Sequence, residues 1–137
     1  MSEHKVFFLP VRVYYQDTDA GGVVFYANYL KYFERARTEL LRAKGYEQDE
    51  LMVNEGIVFA VRSLTVEYLK PARFNQLLQV SAYIKNIKKA SIEFVQHISR
   101  DNNILVTGEV RIACIDVKTL KPKAIPENLL EQLKHEY

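Results

Sequence analysis

Two carboxylates, Asp17 and Asp19, stand two residues apart in the stretch 14–37, YYQDTDAGGVVFYANYLKYFERAR, and the pair Gly21 and Gly22 follows them. A carboxylate just ahead of a helix N-terminus stays ionised at neutral pH. It can take a proton from water or attack an activated carbonyl carbon. The first turn of a helix carries N–H groups with no partner inside the helix; here they fall around Tyr26, where they would hold a developing oxyanion. Glycine at 22 lets backbone approach a substrate closely, and Phe25 and Asn28 flank the same point as further candidate contacts. Together these groups suit hydrolysis of an activated ester or thioester. The same residues also fit a bland turn, with Asp17 and Asp19 as turn and cap residues and the glycines supplying positive φ. A calcium loop fits poorly, because its fifth position would be Gly21 and its twelfth Asn28 rather than glutamate.

A strand over 7–16 leads into this stretch: Val11, Val13 and Tyr15 alternate with Arg12, Tyr14 and Gln16, and Pro10 marks a strand start or edge. A helix over 26–44 leads out. Tyr29, Leu30, Phe33, Ala36, Leu40 and Leu41 fall on one face, with Lys31, Glu34, Arg35, Thr38, Glu39 and Arg42 opposite, and Gly45 stops it. No Ser, Thr, Asp or Asn directly precedes its first turn, so the early N–H groups are left for a ligand or for Asp19 as a remote cap. Residues 46–56 read as a short helix or loop.

Strands are then expected over 57–70, 77–85, 91–99 and 104–117, with turns at 86–89 and at Asp101-Asn102-Asn103. Gln96 interrupts the apolar side of the third of these. Residues 120–125 form a turn or short extended segment, and Pro126 opens a last short helix with Glu127 in its first turn. The class is α+β: one long apolar-faced helix with an antiparallel sheet curled around it, the later strands being neighbours through hairpin-length links. One helix cannot cover both faces of a sheet that still carries apolar residues on the other. A homo-oligomer built on a two-fold dimer is therefore expected.

The chain has 137 residues, fitting one domain, and 48% are hydrophobic, enough for a packed core without disulfides. Its net charge of +2, from 19 Lys and Arg against 17 Asp and Glu, argues against a dedicated nucleic-acid binder. The lone Cys114 cannot form an intrachain disulfide, and the short apolar run 6–9 before Pro10 is no signal peptide. No window approaches the ~18 apolar residues of a membrane span. A cytoplasmic protein is expected.

The run DTDAGGVVFYANYLKYFERARTELLR closely resembles the signature of the hotdog-fold thioesterases, specifically the 4-hydroxybenzoyl-CoA thioesterase family and its YbgC-type acyl-CoA branch. The segment order matches from Val11 to the KPKAIP stretch. The resemblance implies a hotdog fold, a long central helix wrapped by a curved five-stranded antiparallel sheet over the single domain 1–137. It implies that Asp19, the second Asp of D-x-D, acts as nucleophile or general base and that the backbone N–H at Tyr26 polarises the carbonyl. Active sites would lie at a dimer interface, commonly within a tetramer of two dimers. No cofactor is implied, coenzyme A being part of the substrate. The YbgC-type branch has His where this chain has Tyr26, whereas the hydroxybenzoyl branch has Tyr there. A backbone donor survives that change; an imidazole would not.

Coenzyme A needs cations for its phosphates. Lys88 and Lys89, expected in a turn, and Lys121 and Lys123, flanking Pro122 where hydroxybenzoyl relatives carry a comparable basic pair, are the candidates, ahead of Arg62 and Arg73. Cys114 reads as a small core residue, Glu34 as an exposed or inter-subunit charge, and Tyr29 as a possible pocket lining. His4, His97 and His135 show no metal-ligand spacing. Rival readings are a non-hydrolytic acyl-CoA or acyl-carrier-protein binder and, through the family resemblance, a partner of the envelope-maintenance Tol–Pal complex. A hotdog dehydratase is disfavoured, because no His stands beside the D-x-D-x-G-G motif.

Overall fold

The computed structural model describes residues 5–135, which leaves His4 outside the described residues. Strand β1 (Phe7–Arg12) is followed by the long helix α1 (Asn28–Ala43) and a short helix α2 (Gln48–Glu55). Strands β2 (Ile57–Tyr68), β3 (Leu77–Lys88), β4 (Ser91–Arg100) and β5 (Asn103–Asp116) come next, and helix α3 (Glu127–Lys134) closes the order. All five strands form one antiparallel sheet in the order β1-β3-β4-β5-β2.

The expected first strand is too long by four residues. Asp17 Oδ2 accepts the Tyr14 N–H at 2.9 Å, and residues Tyr15–Asp17 wind into a 3₁₀ turn instead of continuing the sheet. Tyr15, read in phase with Val11 and Val13 along that strand, is 77% exposed. The later strands are also not all sequential neighbours. The β3–β4 and β4–β5 links are hairpins, the second turning at Asp101 and Asn102 with φ of 49° and 67°, as a two-residue turn requires. The link from β2 to β3 instead crosses the sheet, so β2 pairs with β5 and becomes an edge. The turn expected over 86–89 begins later, with Lys88 still paired to Ser91 in the ladder.

Helix α1 lies against the sheet with Tyr29, Tyr32, Phe33, Ala36, Leu40 and Leu41 buried. Gly108 on β5 decides how close it comes: a Cβ there would lie 2.7 Å from Phe33 Cε2. Opposite Gly108 stands Gln96, fully buried, so the polar break in β4 has a partner. Its Oε1 accepts from Arg37 at 2.9 Å and its Nε2 donates to Phe33 O at 3.0 Å, pinning the middle of α1 to the sheet.

Over β3 to β5 the outer face carries ion pairs, Lys85–Glu109 at 3.0 Å and Arg111–Glu93 at 2.7 Å, beside the half-buried side chains of Tyr83 and Val95. Edge strand β2 also leaves apolar side chains open, with Val61 54%, Leu64 40% and Tyr68 46% exposed.

Candidate active site

Residues 17–25 form a tight loop tied at both ends. Thr18 bridges Val24, Asp19 N donates to Val23 O at 2.9 Å, and Gly22 N donates to Asp19 O at 3.1 Å. Gly22 takes φ of +81°, a conformation that favours glycine. The outer side of the loop is sewn to the segment before β3: Val24 N donates to Ala72 O at 2.8 Å, and Val23 bridges Arg73.

The two aspartates separate here. Asp17 is buried, and its backbone oxygen accepts both Phe25 N and Asn28 Nδ2 at 2.9 Å. Asp17 and Asn28 thus hold the loop to the start of α1. Asn28, expected among the substrate contacts, turns its amide inward for this purpose. Asp19 is solvent-exposed, and its Oδ1 accepts the Gly21 N–H at 2.8 Å, which leaves most of the carboxylate's acceptor capacity open.

The helix entry leaves two donors free. The amides of Asn28, Tyr29 and Leu30 donate to Phe25 O, Tyr26 O and Ala27 O at 2.8, 3.4 and 3.2 Å. Among the described residues, the amides of Tyr26 and Ala27 have no acceptor, and no side chain caps the helix. The Tyr26 ring, 62% exposed, packs against Phe25 at 4.8 Å and edge-on to Tyr68 at 6.3 Å. Tyr68 also meets Tyr29 at 5.6 Å, and Tyr29 meets the fully buried Tyr32 at 6.2 Å, so aromatic rings line the passage from surface to core. Burial raises the Tyr29 pKa, opposed by the Ala72 N–H donating to its hydroxyl, with smaller upward contributions from Tyr68 and the Asp19 carboxylate. Tyr32 is also pushed up, by burial first and then by Asp17, and its hydroxyl has no hydrogen-bond partner among the described residues.

Beyond Tyr26 along α1 an apolar groove of about 360 Å³ opens against β2, walled by Leu30, Phe33, Val61, Leu64 and Val110, with Glu34 and Arg37 also lining it. The expected phosphate cations lie elsewhere. Ile125 N donates to Lys89 O at 2.8 Å and Lys123 N to Cys114 O at 3.0 Å, so Lys88, Lys89, Lys121 and Lys123 gather at one end of the sheet. Lys123 is further engaged, its Nζ donating to Glu55 O at 3.0 Å and lying 3.8 Å from Asp116. Cys114 pairs with Phe59, and the Tyr26 ring sits by Tyr68. At about 3.3 Å per residue, the run of β2 from Phe59 to Tyr68 puts the lysines about 30 Å from the Asp19 end of the same chain.

A family model described as the thioesterase-like superfamily matches residues 13–133. The chain belongs to that superfamily. Among its members it is 43% identical over 130 residues to "Acyl-CoA thioester hydrolase YbgC" of Escherichia coli O6:H1, with 94% of this chain and 96% of that protein covered. It is 36% identical over 131 residues to "Acyl-CoA thioesterase YbgC" of Helicobacter pylori strain 26695, covering 89% of this chain and 96% of that one. The thioesterase fold is equally clear in structure. A probable thioesterase from Bartonella henselae superposes with a TM-score of 0.85 at 35% identity, covering 88% of this chain and 99% of that one. The chain is a hotdog-fold, YbgC-type member of the family, as its signature implied.

Sequence reading gathered Asp19, Gly22, Phe25 and Tyr26 at one end of this thioesterase and missed Tyr68, at the end of β2, and Ala72, on the β2–β3 crossover, which pack against that end. No local pattern marks either residue, because both reach the site through a strand pairing distant in sequence. Among the described residues, no three His, Cys, Asp or Glu side chains gather to hold a metal ion. No helix among them is long and apolar enough to cross a membrane.

Proposed function

We propose that the protein is an acyl-CoA thioesterase, hydrolysing the thioester to a free acid and coenzyme A. The observation that carries this is the exposed Asp19 carboxylate on a fixed loop that runs into the acceptor-free amides of Tyr26 and Ala27, with an apolar groove farther along the same helix. The thioester carbonyl oxygen accepts from the Tyr26 N–H. Asp19 either attacks the carbonyl carbon or takes a proton from the water that does. When water attacks, the tetrahedral intermediate collapses, the C–S bond breaks, and the proton held by Asp19 passes to the departing thiolate. When Asp19 attacks, the same collapse leaves an acyl–Asp19 anhydride, the thiolate takes a proton from solvent, and water hydrolyses the anhydride to the free acid and the restored carboxylate. We assign Tyr26 its role through the backbone, since its ring is occupied against Phe25 and Tyr68. Tyr in place of His therefore leaves the oxyanion contact in place. The acyl group occupies the groove between α1 and β2.

The reading includes a two-fold dimer through β2. Edge strands with exposed apolar side chains invite pairing with another strand. Antiparallel pairing of two β2 edges sets the Ile57 end of one against the Tyr68 end of the other. That would bring a second copy's Lys88, Lys89, Lys121 and Lys123 towards this chain's Asp19, resolving the separation of about 30 Å along the strand. We further assign the protein to the cytoplasm and give it no cofactor.

A panel of acyl-CoAs with colorimetric thiol detection tests the reading. Asp19→Asn is expected to lower turnover by about 10²–10⁴-fold with the fold and oligomer intact, and EDTA to leave the wild-type rate unchanged. Near-wild-type turnover by Asp19→Asn sinks the assignment of Asp19. Tight acyl-CoA binding without thiol release from any substrate would favour a non-hydrolytic binder.

A further inference from the structure

A second polar cavity, of about 320 Å³, opens at the Asp19 end of the sheet, and three cations line it: Lys70, Arg73 and Arg100. They come from two different segments. Lys70 and Arg73 lie on the crossover from β2 to β3, and Arg100 on the rim of the β4–β5 hairpin, paired across the turn with Asn103. The remaining lining, including Gln76, Asn103 and Leu105, contains no carboxylate. Among the described residues neither Lys70 nor Arg73 forms an ion pair, and Arg100 has only a loose contact of 3.9 Å to the exposed Asp101.

The backbone under these cations is fixed. Gln76 Oε1 accepts the Arg73 N–H at 2.9 Å, Gln76 N donates back to Arg73 O at 3.2 Å, and Arg73 bridges Val23 of the Asp19 loop. Lys70 N is held by Leu105 O at 3.1 Å. Like charges brought into one pocket repel, and a pocket without its own carboxylate leaves that repulsion for a ligand to relieve. Two guanidinium groups and an ammonium suit tetrahedral oxyanions, which accept paired N–H donors from arginine. The volume falls in the range of small-molecule sites, ~300–1,000 Å³.

We propose that this pocket binds a phosphate-bearing ligand. The site belongs to a single chain, one backbone bridge from the Asp19 loop, and is separate from the lysines at the far end of the sheet. The proposal does not rest on the thioesterase reading. Its occupant is either the phosphate portion of a coenzyme A bound at Asp19 or a separate phosphorylated ligand.

Calorimetric titration of the full chain with inorganic pyrophosphate tests it, on wild type and on Lys70→Gln/Arg73→Gln and Arg100→Gln. Wild type is expected to bind saturably, more weakly as salt rises, and each variant about tenfold or more weakly while melting like wild type. Amide shifts on adding pyrophosphate should centre on Arg73 and Asn103. Absence of saturable binding by wild type, or equal affinity in the variants, overturns the proposal. Repeating the titration with saturating coenzyme A separates the sources. Loss of pyrophosphate binding, with a raised KM for acyl-CoA in the variants, assigns the pocket to the substrate's phosphates. Simultaneous binding with KM unchanged assigns it to another phosphorylated ligand. The pyrophosphate titrations, with and without coenzyme A, are read from binding alone, so a failure of thiol release would bear only on the thioesterase reading.

Discussion

Gly108→Ala tests whether the seat of α1 on the sheet is set by one missing side chain. The added Cβ would fall 2.7 Å from Phe33 Cε2, 3.1 Å from Cζ and 3.4 Å from Cδ2. Carbon atoms pack best at about 3.5–4.0 Å, so the ring must retreat by roughly 1 Å. It has little room to do so: Phe33 is 1% exposed, and its backbone oxygen is held by the buried Gln96 at 3.0 Å. Overpacking of this kind destabilises by about 1–3 kcal/mol. For a domain of this size that corresponds to a fall of about 3–10 °C in melting temperature. Calorimetry of wild type and Gly108→Ala measures it, and Phe33→Leu in the Gly108→Ala background should restore part of the loss by removing the clashing ring. The open Tyr26 and Ala27 amides stand at the start of the same helix, so thioester turnover should fall along with stability. A variant that melts within about 1 °C of wild type would refute the steric reasoning, because a clash of this depth should cost more than that.

Gln96→Leu removes the acceptor of the buried Arg37 guanidinium and should destabilise by about 2–4 kcal/mol in denaturant titration, with Arg37→Met in the same chain recovering much of it. Val61→Lys/Leu64→Lys places charges along the exposed β2 edge and is expected to convert a dimer to monomer by sedimentation; activity should fall as well, because both side chains also wall the acyl groove, so the oligomeric state alone is the readout. Burial pushes the Cys114 thiol up to about 11 from 9.0, so its contribution to stability is present below pH 9 and lost as pH rises through 11. Native protein at pH 8.5 should therefore resist iodoacetamide, while protein unfolded in guanidinium reacts readily; rapid native labelling would contradict this burial.

Local pattern alone determined a good deal. Periodicity two marks most of the strands, the spacing of Phe33, Ala36 and Leu40 marks α1, and the Asp101-Asn102 turn announces its hairpin, because each signal depends on residues close in sequence. The D-x-D-x-G-G run ahead of an uncapped helix gave the candidate chemistry, since a carboxylate and free N–H groups a few residues apart must be near in space. Tertiary structure decided which aspartate is exposed. Asp17 turns inward because Tyr14 N, Phe25 N and Asn28 Nδ2 all converge on it, leaving Asp19 outside. Tertiary structure also put β2 at the edge beside β5, and so brought Tyr68 to Tyr26 and Ala72 to the Asp19 loop and gathered Lys70, Arg73 and Arg100 around one cavity. The same pairing placed Lys88, Lys89, Lys121 and Lys123 at the opposite end. A strand's neighbours are chosen by burial across the whole sheet, and that choice, invisible in any short window, sets which charges share a site.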